Sequence, residues 1–356
     1  MTALAASKVG ASRETEPMPF TPCLNIEDLR VHFPIKHGFL RRGKGLVKAV
    51  DGITLSIGEG ETVAIVGESG CGKSTLGRAV LGVFRPTAGA VNYRRRGSSA
   101  WIDLAQATPK QWQSYRADLR MIFQDPFTAL NPRIPIIDAI GQPLRANGLA
   151  EGSELQDRVA EIMQKVGLRP EYMLRYPHAF SGGERQRIVI ARALVVRPHV
   201  VVADEAVSAL DVSVRAQTLN LLQDLQQEFN LTYLFVSHDL AVVKHISNRV
   251  AVMYTGRVVE VAPTNDVFAL PMHPYTEALL SAIPVPDPKR RGRRSRVRLT
   301  GEVADPSNQP TGCHFHPRCG YATELCRTQV PALRAVAPHR QAACHYAETL
   351  SLKGVL

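Results

Sequence analysis

The run Gly67-Glu68-Ser69-Gly70-Cys71-Gly72-Lys73-Ser74-Thr75 has the spacing GxxxxGK[ST], directly after the apolar stretch Thr62–Val66 and before the helical pattern Leu76, Ala79, Val80 and Leu81. Strand, glycine-rich turn and helix in that order make a phosphate cradle. The glycines let successive N–H groups turn inward, and the helix start adds the positive end of its dipole. Lys73 supplies a mobile positive charge for the β- and γ-phosphates of a nucleotide, and Ser74 offers a hydroxyl to Mg²⁺, which keeps most of its water. Cys71 is a small filler with no chemistry assigned.

Two further apolar runs end in polar groups. Val200-Val201-Val202-Ala203 leads into Asp204-Glu205. Strands often end in solvated acids, but beside a phosphate loop adjacent carboxylates divide their work. Asp204 holds Mg²⁺, while Glu205 accepts a proton from, and orients, the water attacking the γ-phosphate. Leu234-Phe235-Val236 is followed by Ser237-His238-Asp239. At the same sheet edge His238 can touch the γ-phosphate and the attacking water as a sensor of nucleotide state; a packed histidine is the alternative. A fourth group is Phe180-Ser181-Gly182-Gly183-Glu184-Arg185-Gln186, ahead of the amphipathic positions Ile188, Val189, Ala191, Leu194 and Val195. Ser181 and Glu184 form a capping box. Capping does not account for two consecutive glycines, each of which lowers helix propensity by about 1 kcal/mol. Bare backbone at a helix start reads as a second anion site.

Apolar parallel strands imply helices on both faces and ligands beyond the carboxyl ends of the strands, which is where these motifs fall. Upstream, Leu24–Ile26 and Ile53–Ile57 alternate like antiparallel strands around a basic loop from Lys36 to Lys48. Pro109 to Arg197 is helix-rich, and Val250 to Glu260 reads as a hairpin turning at Thr255-Gly256. Residues 1–22 have the composition of a disordered leader. The expected organisation is an α/β ATPase domain over 23–263 with a helical subdomain at about 109–185, then an extension over 264–356.

A length of 356 residues with 45% hydrophobic content permits a sizeable core, and no window approaches twenty uninterrupted apolar residues. No signal-peptide pattern opens the chain, so it is expected inside the cell without spanning a membrane. The formal charge of +11 is concentrated in a linker over 284–298, where Lys289, Arg290, Arg291, Arg293, Arg294, Arg296 and Arg298 follow Pro284, Pro286 and Pro288. That segment reads as a solvated basic loop, with contact to acidic lipid headgroups as the alternative.

These residues resemble the ABC ATPase family, whose LSGGQ signature corresponds to Phe180–Glu184, whose Q-loop glutamine corresponds to Gln124 in Phe123-Gln124-Asp125-Pro126, and whose D-loop corresponds to Ser208-Ala209-Leu210-Asp211. These elements occur in family order over about residues 24–263. The resemblance implies a RecA-like parallel sheet core, an antiparallel β subdomain and a helical subdomain. It also implies two ATPase subunits facing head to tail, so that Ser181, Gly182 and Gly183 of one close on nucleotide held by the phosphate loop of the other. Asp211 would link the two sites, and Gln124 would couple Mg²⁺ to the membrane subunits. Phe123–Pro132, Tyr176-Pro177-His178 and His273-Pro274-Tyr275-Thr276 are similar to the oligopeptide and dipeptide importers, with nickel importers sharing much of the pattern. Implied partners are a related but different ATPase subunit, two transmembrane permease subunits and an extracytoplasmic peptide-binding protein, with peripheral association at the cytoplasmic face of the inner membrane and no nucleic acid. A non-transport ABC ATPase is disfavoured because the chain carries one cassette and no coiled coil. Two departures stand out: Ala206 replaces a proline common after the glutamate, and the adenine-stacking aromatic has no clear counterpart, with Lys44 near its place and Phe39 or Phe33 as alternatives.

Cys313, Cys319, Cys326 and Cys344 fall within the last stretch with spacings x5, x6 and x17 and no CxxC pair. Four thiolates can hold zinc or an iron–sulfur cluster, or remain packed thiols. Gly312–Cys319 resembles the peptide-importer extension, which implies a [4Fe–4S] cluster closing a small domain.

Overall fold

The computed structural model describes residues 21–35, 45–283, 297, 299, 301 and 304–355. Residues 1–20 of the expected leader, most of the first basic loop and nearly all of the basic linker lie outside these residues; the leader's expected bound of 22 is too late, because Pro22 already opens the first strand.

Strands β1 (Pro22–Pro34) and β2 (Leu46–Gly58) pair antiparallel. Their alternation buries Leu24, Ile26, Leu29 and Val31 from one and Val50, Ile53, Leu55 and Ile57 from the other. They are much longer than the short segments expected. After β3 (Thr62–Val66) and α1 (Lys73–Val80), strands β4 (Ala88–Arg94) and β5 (Trp101–Asp103) complete a four-stranded sheet of order β2-β1-β4-β5.

The next stretch is α2 (Pro109–Tyr115), β6 (Leu119–Ile122), α3 (Pro126–Ala129), α4 (Ile136–Ala146), α5 (Gly152–Lys165) and α6 (Gly182–Leu194). β6 is a strand that the helix-rich reading of this stretch did not name: four residues give no periodicity to read, yet Leu119 and Ile122 are buried against β7 (Val200–Asp204) in a parallel pairing. The chain continues through α7 (Val212–Phe229), β8 (Thr232–Val236), α8 (Leu240–Ile246), β9 (Arg249–Tyr254) and β10 (Arg257–Pro263). Thr255 and Gly256 turn the β9–β10 hairpin with φ of 39° and 80°, the pair of positive values that suits a tight two-residue hairpin. Then come α9 (Thr264–Ala269), α10 (Pro274–Ser281), α11 (Glu324–Thr328), β11 (Arg334–Ala337) and β12 (Arg340–Ala342).

The second sheet has eight strands in the order β11-β12-β10-β9-β3-β8-β7-β6, parallel from β9 to β6 and antiparallel beyond. Every residue of β3, β7 and β8 is buried. Alternate side chains feed different cores, as a period of two requires: Val200, Val202, Leu234 and Val236 face the antiparallel sheet, while Val201, Ala203, Tyr233 and Phe235 pack with α4–α7. The chain after Pro263 is bound into this frame, because β12 pairs with β10 and Phe315 packs with Tyr254 and Tyr275. Among the described residues no helix is long and apolar enough to cross a membrane.

Candidate nucleotide site and cysteine pocket

The phosphate loop leaves β3 and enters α1 with Gly67, Gly70 and Gly72 all at positive φ. Two of these glycines are also required sterically: a Cβ on Gly67 would lie 2.1 Å from the Met253 carbonyl, and one on Gly72 would lie 1.9 Å from that of Ala49. Lys73 is buried, and its Nζ donates to the carbonyls of Gly67 (2.8 Å) and Glu68 (2.9 Å). Ser74 Oγ donates to Asp204 Oδ1 at 2.8 Å, joining residues 130 positions apart. Burial pushes the Asp204 carboxyl up, and the Ser74 hydroxyl and the Arg78 guanidinium pull it part of the way back. Two hard oxygen donors beside a phosphate cradle fit the donor set of Mg²⁺.

Glu205 has φ of 49°, an unfavourable conformation for a residue with a side chain. It is held there by its N–H, which donates to the Val236 carbonyl at 3.0 Å. Its carboxylate meets Gln124 Nε2 at 2.9 Å through one oxygen and His238 Nδ1 at 3.1 Å through the other. Two residues just beyond the ends of β6 and β8 thus converge on the carboxylate that follows β7. Gln124 spends its amide nitrogen on Glu205, leaving its amide oxygen as the atom for the magnesium role expected of it.

The remaining expected residues stand elsewhere. Ser181 caps α6, accepting from the Glu184 N–H at 3.3 Å while Glu184 Oε2 accepts from the Ser181 N–H and hydroxyl at 2.8 Å each. These bonds hold the Glu184 carboxyl below its usual range. They close within one turn between Ser181 and Glu184 and involve neither Gly182 nor Gly183. Asp211 starts α7, is exposed and makes no side-chain cap bond there; Val212 beside it is 81% exposed. Phe33, one alternative for stacking adenine, has its ring engaged edge-on with Phe84 at 5.3 Å; Phe39 and Lys44 lie outside the described residues. Sequence reading missed Arg78, 3.8 Å from Asp204. It also gave no role to Tyr275 and Arg318, which contact Glu68 of the loop.

Cys313, Cys319, Cys326 and Cys344 line one small pocket with His316, Tyr321 and His345. All four are free thiols. Burial pushes Cys313 and Cys319 up to about 11 and raises Cys344 as well. The N–H groups of Phe315, Tyr321 and Tyr346, each two residues beyond a cysteine, hydrogen bond to Cys313, Cys319 and Cys344 respectively. Among the described residues no group of three or more His, Cys, Asp or Glu side chains is placed to hold a metal ion.

Residues 50–208 match the family described as "ABC transporter", and residues 259–326 match "Oligopeptide/dipeptide transporter, C-terminal region". The chain is 47% identical over 322 residues to the oligopeptide transport ATP-binding protein AppF of Bacillus subtilis, covering 90% of this chain and 96% of that protein. It is 46% identical to the di/tripeptide transport ATP-binding protein DppF of Pseudomonas aeruginosa (91% and 98% covered) and 48% identical to the oligopeptide transport ATP-binding protein OppF of Escherichia coli (89% and 94%). Among solved structures, cbiO1 of Clostridium perfringens, part of the ABC transporter complex cbiONQ, superimposes with a TM-score of 0.58 at 27% identity over 70% of this chain and 91% of that one. The cassette MJ0796, solved as a dimer bound to ADP and phosphate, gives a TM-score of 0.58 at 26% identity over 68% and 98%.

Proposed function

The chain belongs to the ABC transporter family, among its peptide transport ATP-binding proteins, and on that premise we propose how its residues hydrolyse ATP to energise uptake of di- and oligopeptides into a bacterial cell. The observation that carries the reading is the convergence of Gln124, Glu205 and His238 on one sheet edge, where the end of β7 and the start of α1 also bring Asp204 and Ser74 together.

The loop from Gly67 to Thr75 binds the phosphates through its N–H groups, with Lys73 against the β- and γ-phosphates. Mg²⁺, when bound, neutralises charge between those phosphates, and Ser74, Asp204 and Gln124 are the residues that would hold it. Glu205 accepts the proton of the attacking water. His238 and Gln124 fix the two carboxylate oxygens so that one lone pair faces the water. Ser181, Gly182 and Gly183 close on the γ-phosphate of a facing ATPase subunit, and Asp211, free of any cap bond, reaches across that interface. A related but different subunit is the proposed facing partner. The permease subunits dock where Phe127 and Tyr176 are exposed beside Gln124; Arg185 lies over the Phe127 ring at 4.6 Å and donates to the His178 carbonyl, and His178 stacks on Tyr176. Attachment is therefore peripheral, at the cytoplasmic face of the membrane.

A [4Fe–4S] cluster is the proposed occupant of the cysteine pocket. Four thiols around one cavity and three i+2 N–H···S contacts support it, since such bonds accompany and tune cluster thiolates. The cluster would supply a structural closure for a segment with little core of its own. Iron and acid-labile sulfide near four each per chain in anaerobically purified protein are expected; their absence would leave the four as packed thiols.

The test of the ATPase mechanism is Glu205→Gln in vesicles reconstituted with the partner subunits. ATP binding is expected to persist while turnover and ATP-driven peptide uptake fall by roughly 10²-fold or more. Normal turnover would remove Glu205 from the role of general base.

A further inference from the structure

Glu68, the second residue of the phosphate loop, is gripped by two residues that come 207 and 250 positions later. Its backbone N–H donates to the Tyr275 hydroxyl at 2.8 Å. Its carboxylate accepts both terminal nitrogens of Arg318, at 2.8 and 3.0 Å. The side chains are 8% (Arg318) and 24% (Glu68) exposed, so the pair is largely shielded from water and salt.

Both anchors are themselves fixed. Tyr275 is fully buried, with its ring 4.6 Å from Tyr254 and 5.4 Å from Phe315. Arg318 closes the short 3₁₀ turn His316–Arg318, and its guanidinium also faces Tyr254. Two-point contact between a planar guanidinium and a carboxylate fixes direction as well as distance.

The loop needs such an anchor. Three of its residues are glycines at positive φ, the residue type with the most conformational freedom to lose. Glu68 also carries one of the two carbonyls that receive Lys73 Nζ. We propose that Tyr275 and Arg318 are positioning residues of the nucleotide site. They set Glu68, and through its carbonyl they set the Lys73 ammonium and the neighbouring loop N–H groups. The segment after Pro263 is on this view a working part of ATP binding. The proposal rests on reading residues 67–75 as a nucleotide cradle.

The experiment uses equilibrium binding of a fluorescent ATP analogue in Mg²⁺ to the purified full chain, and steady-state ATPase kinetics of the transporter assembled with its partner subunits. Arg318→Met is expected to weaken binding about tenfold, with KM rising more than turnover at saturation falls. Arg318→Lys should recover part of the loss, because it keeps the charge and loses the two-point contact. Tyr275→Phe keeps the ring packing and removes the acceptor, so it should move KM in the same direction by a smaller factor. The double variant Glu68→Gln with Arg318→Met should bind no more weakly than the worse single one. Thermal unfolding checks that each variant folds; should Arg318→Met not fold, Arg318→Lys and Tyr275→Phe carry the test. Native affinity in the folded variants, or losses that multiply in the double variant, would overturn the proposal. A native chain that binds no MgATP would instead overturn the nucleotide reading beneath it.

Discussion

Gly182 and Gly183 are adjacent, and this chain needs glycine at only one of them. A Cβ on Gly183 would lie 2.7 Å from Val214 Cγ1, so α6 could take a side chain there only if Val214 on α7 moved. A Cβ on Gly182 would meet nothing within 4 Å, and its φ is not in the left-handed region. Nothing within the chain opposes alanine at that position. Helix propensity favours it by up to about 1 kcal/mol. Gly182→Ala is therefore expected to leave the thermal midpoint of the isolated chain unchanged or raised, while lowering ATPase activity of the assembled transporter by roughly tenfold, because in the proposed head-to-tail closure the methyl group would stand where the γ-phosphate held by the facing subunit approaches. Measuring both quantities on one preparation separates folding from function. A variant that turns over normally would mean the glycine is dispensable to closure. The contrast between Asp204 and Glu205 has the same character: neighbours in sequence, one ends a strand beside Ser74 and the other turns through positive φ to face Gln124 and His238.

Elements whose own residues carry their pattern were legible in the sequence, and those stabilised by distant partners were not. The apolar runs of β3, β7 and β8 and the turn at Thr255-Gly256 are local signals, and the phosphate loop, the Asp204-Glu205 pair and His238 stand at the ends of those three runs. The capping box at Ser181 and Glu184 likewise needs only its own turn. β6 is four residues long and owes its place to β7. β4 and β5 extend a sheet whose first two strands lie far upstream. The order of β11 and β12 beside β10 could not be read either, since it depends on a pairing across some eighty residues of chain. Within the site the same division holds. Motif residues were identified by spacing, whereas Tyr275 and Arg318 reach Glu68 only because α10 and the His316–Arg318 turn pack on the aromatic cluster around Tyr254. Nothing in the residues beside Arg318 signals a partner 250 positions away.

Among the described residues, three histidines are buried neutral in three different places. His199 and His314 are each lowered to about 4 and His273 to about 3, in every case chiefly by burial. A base whose folded pKa is depressed binds fewer protons folded than unfolded, so stability is lost as pH falls from the unfolded value of 6.5 towards those values. Each contributes at most about 1.4 kcal/mol per pH unit within that window. Glu260 acts in the opposite sense: burial raises it from 4.5 to about 7, so its contribution is present below 4.5 and lost as pH rises through about 7. Between pH 6.5 and 4.5 three groups therefore destabilise on acidification and one stabilises, leaving a net loss equivalent to roughly two protons, or on the order of 2 to 3 kcal/mol per pH unit. His273 offers a way to isolate one of them. Its Nδ1 caps α10 by accepting the Tyr275 N–H at 3.0 Å, and asparagine can supply that cap without titrating. His273→Asn is expected to reduce the acid-side slope of unfolding free energy by about one proton while keeping α10, and with it the hydroxyl that receives Glu68, in place. Urea unfolding at intervals from pH 7.5 to 4.5 gives the slope directly. An unchanged slope in the variant would show that His273 is already protonated in the folded chain, at odds with its burial beneath the segment that anchors the phosphate loop.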